Sequence, residues 1–287
     1  MASPAVSVIC TAKNAAATIE HTLRSILAQD LRDWEMIVVD DGSTDGTASI
    51  VRGFAQVDPR VKLVLTGGVG RGRALNRALT DAEADLVANI DADDESRPTR
   101  LRYQLEAMRR YPELAIICTD WVRVEGGERP VWPEIDAGAP FVVADVTKAL
   151  AISNPVCHSS AIMRKGAIVG LGGYSEGRRF VFDYDLWVRA AAAGLRLGRI
   201  PLPLVAKRIH PNQAYLHASR VRYLFASAAV QLRAMRTFQV GRRYLPLLAL
   251  RFLWGILPLR VRLGLSTAGA RLGSSRPMAG TVVRGRR

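Results

Sequence analysis

Short runs of Val, Ile and Leu alternate with amphipathic stretches along the first 125 residues. The compact apolar runs at residues 5–11, 34–40, 61–66, 86–90 and 114–124 predict strands. Between them, residues 15–28, 44–55, 73–82 and 98–110 place apolar side chains three and four apart and predict helices. Ser43 or Thr44 suits the cap of the second helix, and Pro98 suits the first turn of the fourth. This alternation predicts an α/β fold, a mostly parallel sheet joined by right-handed crossovers and flanked by helices. The unbroken apolar stretch 36–39 predicts that both faces of the sheet are covered.

After residue 125 the rhythm loosens into a loop bearing Gly and Pro. A strand is expected at 157–163, a turn at Gly172-Gly173, a helix at 183–193 and extended pieces at 195–200 and 204–209. Beyond Pro211 the pattern predicts long helices studded with arginine, running to Gly264 and followed by a loose tail. On a helix drawn from Val221, Arg222, Arg233, Arg236 and Arg243 fall within a quarter-turn. Leu224, Met235 and Phe238 lie opposite, with Phe225 intruding. The implied units are an α/β domain at 1–212, a basic helical region at 213–265 and a basic tail at 266–287.

Charge sharpens that division. The chain carries a formal +14, yet all 26 Asp and Glu lie at or before Asp185, and residues 186–287 hold 19 Lys and Arg and no acid. A body this acidic with a tail this basic implies an anionic partner for the tail. Residues 244–259 form the longest apolar stretch but contain Arg251, Pro246 and Pro258. They fall short of the roughly 20 residues a helical span needs, so an interfacial element on an anionic membrane surface is expected. Nucleic-acid binding would want aromatic stacking positions among the charges rather than a Leu-rich run, and is not expected. No secretory leader is expected at the N-terminus. Cys10, Cys118 and Cys157 are too few and scattered for a disulfide framework. Reduced thiols in a cytoplasmic protein, peripheral on the inner face of the cell membrane, are the expectation.

The chemistry concentrates where ligands bind in open α/β sheets, beyond the carboxyl ends of the strands. The first strand ends in Thr11-Ala12-Lys13-Asn14, the second in Asp40-Asp41-Gly42-Ser43-Thr44-Asp45, the fourth in Asp91-Ala92-Asp93-Asp94. Crowded carboxylates raise one another's cost of ionisation, and a hard divalent cation relieves it. In extended chain, Asp91 and Asp93 project to one side about 6–7 Å apart, a span for a hydrated Mg²⁺ or Mn²⁺ carrying a diphosphate. The triplet could instead simply charge the turn and cap the next helix. Gly68-Val69-Gly70-Arg71-Gly72-Arg73 looks like a dinucleotide fingerprint, but it follows the third strand and lacks the third glycine at the right offset.

These three strand ends, with residues 154–163, Gly172-Gly173-Tyr174 and Asp183-Tyr184-Asp185-Leu186-Trp187-Val188-Arg189, resemble the family 2 glycosyltransferases of the GT-A fold over roughly residues 4–212. The resemblance implies inverting transfer from a nucleotide-diphosphate sugar, a UDP-sugar favoured, in surface polysaccharide synthesis, with Mn²⁺ or Mg²⁺ as cofactor. The acceptor would be a glycan or a lipid-linked sugar. By position, Thr11 and Asp41 would contact the nucleoside, Asp91 the ribose or metal, and Asp93 the metal. Arg71 and Arg73 could approach phosphate, with Arg73 counted among the nucleotide-sugar-binding residues. His210, after Lys207-Arg208-Ile209, would complete the metal shell. His158 would line the acceptor side or sit satisfied in its strand. The family's base lies in a Glu-Asp pair; here Phe182-Asp183 stands in its place, so Asp183 is the expected base and Asp185 its rival. The missing glutamate leaves a catalytically degenerate nucleotide-sugar-binding scaffold as the alternative. Nucleotidyl transfer would want a Gly-rich basic loop after the first strand, which residues 12–17 do not supply.

Overall fold

The computed structural model describes residues 3–136, 141–209, 220–240 and 244–257. At its centre is a nine-stranded sheet. β1 (Val6–Ala12) lies between β2 (Trp34–Asp41) and β4 (Leu86–Asn89), parallel to both, and β3 (Val61–Thr66) extends the parallel edge beyond β2. The parallel half of the sheet ends at β4. β8 (Ile162–Arg164) runs antiparallel between β4 and β6 (Leu114–Glu125), and β6 pairs in parallel with the long β9 (Arg196–Ile209). Two short strands, β5 (Glu95–Ser96) and β7 (Ala144–Asp145), are antiparallel to β9. The sheet is therefore mixed.

Every residue of β2 is buried, and successive side chains enter two separate cores. Ile9, Ile37 and Val39 face α3 (Arg71–Asp81) and α6 (Phe182–Ala192). Val8, Cys10, Met36 and Val38 face α1 (Ile19–Leu27), α2 (Thr47–Val57) and α4 (Arg100–Arg110). Both-sided burial is the reason these strands read as continuous apolar runs.

Where boundaries differ from the pattern, local chemistry explains it. The expected strand at 157–163 divides into a 3₁₀ turn, His158–Ser160, and β8. The extended pieces 195–200 and 204–209 join into β9, whose register with β6 slips at Thr119, Asp120 and Trp121. Pro201 and Pro203 have no N–H to give the ladder, and a bulge removes the need for one. α2 begins at Thr47 behind Gly46, not at Ser43 or Thr44. Both of those are engaged by Asn14 instead, whose N–H donates to Ser43 Oγ and whose Oδ1 accepts from Thr44 N.

After β9, α7 (Arg220–Thr237) lies along α6, burying Val230 and Ala234 in the same core, and α8 (Leu245–Ile256) packs on α7. Arg222, Arg233 and Arg236 are exposed and Met235 buried, as the helical drawing anticipates; Phe225 is exposed. No helix among the described residues is long and apolar enough to cross a membrane. Arg243, His210 and the tail at 266–287 lie outside the described residues.

Candidate active site

The ends of β1, β2 and β4 are stitched into one rim. Asn14 adopts a left-handed backbone (φ 53) that a side-chain amide tolerates, and from there it ties the first strand end to the second. Asp41 is buried and accepts from Thr66 Oγ1 at 2.8 Å, Val69 N at 2.7 Å and Gly70 N at 2.9 Å. One carboxylate thus shapes the loop that leads to α3. That loop turns at Gly68 and Gly70, both at positive φ, and a Cβ on Gly42 would sit 2.9 Å from Gly68 N. Thr11 is half-buried at the end of β1.

Asp91, Asp93 and Asp94 follow β4, and one ligand oxygen from each lies within 4.8 Å of the others. The segment is anchored from α1's side, where Thr18 Oγ1 donates to Ala92 O and Thr22 Oγ1 to Asp94 O. Asp91 is half-buried, and its Oδ1 meets Arg71 Nη2 and, at 3.3 Å, His158 Nδ1. Burial works against its charge, but Arg71 and the His158 hydrogen bond outweigh burial and hold the carboxyl far below the usual range. Asp94 is the opposite case. Burial, then the charges of Asp91 and Asp93, push its carboxyl up to about 8. Its Oδ1 accepts from Arg208 N, while its buried Oδ2 has no hydrogen-bond partner among the described residues. Three hard oxygen donors this close, one with an unmatched buried oxygen, form a donor set that fits Mg²⁺ or Mn²⁺.

Behind Asp91 lies a buried polar chain that the sequence pattern did not announce. His158 Nε2 lies 3.0 Å from Asn89 Nδ2 and 3.1 Å from Tyr174 Oη, and Asn89 Nδ2 donates to Tyr174 Oη at 2.7 Å. The imidazole stands edge-on to Phe182, ring centroids 5.5 Å apart. With Nδ1–H aimed at the Asp91 carboxylate, Nε2 is the acceptor for this chain.

Facing the acidic group across a cleft of about 1300 Å³ is the start of α6. Val181 caps that helix in a left-handed conformation (φ 51, ψ 28). Phe182 turns into the core and Asp183 lines the cleft, accepting from Asn154 Nδ2 at 3.1 Å. The Arg71 guanidinium lies 5.0 Å from the centre of the Phe182 ring, so the phenyl that replaces a carboxylate packs against the cation beside Asp91. Lys207 on β9 also lines the cleft. Burial opposes its charge, but Cys157, Asp91, Asp94 and Asp183 together hold its ammonium above the usual lysine range.

Asp91 and Asp183 both line the cleft, and Asp93 stands beside Asp91 in the acidic group. Arg73 is placed elsewhere: its Nε pairs with Glu176 at 3.1 Å on the surface, and Arg71 is the arginine at the carboxylates. Asp185, the rival base, is buried among Arg189, Arg178 and Arg233 at 2.8, 3.2 and 3.5 Å and does not line the cleft. Lys207 and the His158 chain are what sequence reasoning missed; the only signal was the Lys207-Arg208 run before His210. Cys118 is buried and Cys157 half-buried, their thiols pushed up to about 12 and about 11, mainly by burial, and both are poor nucleophiles.

Comparison with known proteins places this geometry. The model of glycosyl transferase family 2 matches residues 7–169. EpsE of Bacillus subtilis is 32% identical over 199 residues, covering 67% of this chain and 69% of that protein. The amylovoran biosynthesis glycosyltransferase AmsE of Erwinia amylovora is 26% identical over 193 residues, 66% of this chain and 70% of that protein. Among solved structures, the mannosyltransferase PcManGT from Pyrobaculum calidifontis in complex with GDP-Man and Mn²⁺ superposes with a TM-score of 0.62 at 24% identity, covering 96% of this chain and 77% of that one. S. aureus TarS 1-349 in complex with UDP-GlcNAc gives a TM-score of 0.62 at 19% identity, covering 80% of this chain and 66% of that one. At such identities the structures share the fold.

Proposed function

The chain belongs to glycosyl transferase family 2 and is a glycosyltransferase, and on that premise we propose that it transfers a sugar, with inversion, from a nucleotide-diphosphate sugar to a hydroxyl of a glycan or lipid-linked acceptor. A UDP-sugar is the favoured donor and surface polysaccharide synthesis the setting, in keeping with the names of its relatives and the donor bound in a structural neighbour. The carrying observation is that Asp91, one of three clustered carboxylates with Asp93 and Asp94, lines the same cleft as Asp183.

In this reading Asp183 takes the proton from the acceptor hydroxyl as its oxygen attacks the anomeric carbon, a role worth roughly 10²–10⁴ in rate. Asn154 fixes one oxygen of that carboxylate. Asp91 and Asp93 would hold Mn²⁺ or Mg²⁺, with His210 the further ligand taken from the resemblance. Such a cation, once bound, offsets the charge that grows on the departing diphosphate. Arg71 and Lys207 bring positive charge to the same space, and Thr11 and Asp41, at the ends of β1 and β2, are the residues that would contact the nucleoside. Residues 1–212 would be the catalytic unit. Residues 213–265 would seat it on the cytoplasmic membrane face, a role supported by the exposed Leu250, Leu253 and Trp254 of α8.

Thermal unfolding against UDP, GDP, dTDP and CMP, each with and without Mn²⁺, tests the site. A ligand at 100 times its dissociation constant adds about 2.7 kcal/mol, so one metal-dependent rise names the donor class. Sugar transfer left untouched in both Asp93→Ala and Asp183→Asn would refute the assignment. Nucleotide binding without turnover on any donor would identify the scaffold to which Phe182 points.

A further inference from the structure

Asp183 lines two cavities, not one. The second, about 230 Å³, opens on the other side of the α6 start and is walled by α7 and α8. Ser153, Asn154, Val181 and Tyr223 also belong to both spaces, so the two meet at the proposed base. Their linings differ in kind. The large cleft presents Asp91, Arg71 and Lys207, whereas the smaller space presents Leu224, Leu248 and Phe252, with Arg251 at its wall and Asp183 as its single acid among the described residues. Arg251 Nη1 reaches across to Ile152 O, which holds the guanidinium at that wall.

α8 is seated closely enough to make this a built space. A Cβ on Gly255 would meet Leu224 Cδ2 at 2.5 Å, and the rings of Phe252 and Phe225 lie edge to face at 4.9 Å. Continuing outward, the same helices expose Phe225, Leu250 and Leu253, each more than half accessible, on a stretch of chain with no carboxylate at all. An apolar path, a cation beside it and an exit onto an apolar helix face together match a molecule with a lipid chain, a phosphate and a sugar hydroxyl, in that order.

We propose that the α7–α8 cavity admits a lipid-phosphate-linked acceptor, its chain against Leu224, Leu248 and Phe252, its phosphate at Arg251 and its sugar hydroxyl delivered to Asp183. This rests on the glycosyltransferase reading and specifies its acceptor. Donor and acceptor then reach Asp183 through different openings, an arrangement compatible with attack on the side of the anomeric carbon opposite the departing diphosphate. The acceptor oxygen bonds to the anomeric carbon, the bond from that carbon to the diphosphate oxygen breaks, the proton passes to Asp183, and the nucleoside diphosphate leaves.

The test is titration calorimetry of the full chain, with UDP and Mn²⁺ present, using dodecyl phosphate below its micelle concentration, inorganic phosphate, and a neutral dodecyl glycoside. Wild type is expected to bind dodecyl phosphate more tightly than either comparison compound. Arg251→Gln should weaken it roughly tenfold, the loss of one charge-assisted hydrogen bond, and Leu248→Glu should abolish it. Arg251 is exposed, so its variant should fold, which its UDP-dependent thermal shift verifies. Wild-type affinity for dodecyl phosphate in the folded Arg251→Gln and Leu248→Glu variants overturns the proposal, as does inorganic phosphate binding equally well. A wild-type protein that shifts with UDP yet ignores dodecyl phosphate sinks this inference alone. One that shifts with no nucleotide takes the glycosyltransferase reading down with it.

Discussion

Replacing His158 with leucine separates the buried chain behind Asp91 from the carboxylate itself. The substitution removes Nδ1–H from Asp91 Oδ1 and takes the Nε2 acceptor from Asn89 and Tyr174, both about 1% exposed. Leucine is close to imidazole in volume, so the packing against Phe182 and Trp187 changes little. The cost is then polar: one hydrogen bond to a charged group and one buried donor left without a partner, about 2–4 kcal/mol in total. Arg71 still faces Asp91, so the carboxylate stays ionised; what it loses is orientation. Outer partners of this kind typically carry 10–100-fold in metal affinity. The assay is two titrations on one variant, thermal unfolding without ligand and the Mn²⁺ dependence of the UDP-induced shift. Lower stability with an Mn²⁺ midpoint raised at least about tenfold is expected, and His158→Gln should recover part of the midpoint. A midpoint equal to wild type in a destabilised His158→Leu protein would show that the chain only fills space.

Arg71→Gln should raise the KM for the donor sugar, whereas Arg73→Gln should leave it unchanged, because only Arg71 sits at the carboxylates; steady-state kinetics with both variants decides it. At the far edge of the sheet, Glu35 accepts from Ser7 Oγ, Glu83 N and Lys62 Nζ, and Glu35→Gln should cost about 1–3 kcal/mol at neutral pH. Burial alone would raise Glu35, but the Lys62, Ser7 and Glu83 hydrogen bonds hold it below the usual value. Its contribution is therefore present above the unfolded pKa near 4.3 and lost as pH falls through the lower folded value, so variant and wild type should converge in denaturant melts at acid pH. The full chain should sediment with anionic vesicles and be released by salt, and Leu250→Glu with Leu253→Glu should weaken that binding; vesicle binding insensitive to both changes would exclude α8 as the contact.

The parallel half of the sheet was legible because β1, β2 and β4 are buried on both faces and read as apolar runs bounded by turn residues. β8 was not legible as an antiparallel strand, since three residues carry no periodicity and its direction is set by a 3₁₀ turn before it. β9 read as two pieces because its prolines interrupt the pattern exactly where the bulge absorbs them in three dimensions. In the site, strand-end carboxylates announce themselves by position, but their partners do not. Asn89 and His158 are 69 residues apart, and although His158 was singled out, nothing local marks their pairing. Choosing Arg71 over Arg73 depends on where α3 begins, which the positive φ of Gly70 decides. Asp183 and Asp185 differ for a geometric reason: two steps along a helix turn a side chain about 200°, from the cleft into a nest of arginines.

Val181 strains the turn that presents Asp183. A β-branched residue held in the left-handed region stores about 1–2 kcal/mol of backbone strain. The burial of Phe182 and the hydrogen bond from Asp185 N to Val181 O keep it there. The turn that presents Asp183 is thus a loaded element inside a rigid helix, closer in free energy to an opened form than the residues after it. Amide exchange should be fastest at that first turn and slow at Trp187 and Val188, and a molecule wedged between α6 and α7 has its least costly point of yield beside the carboxylate.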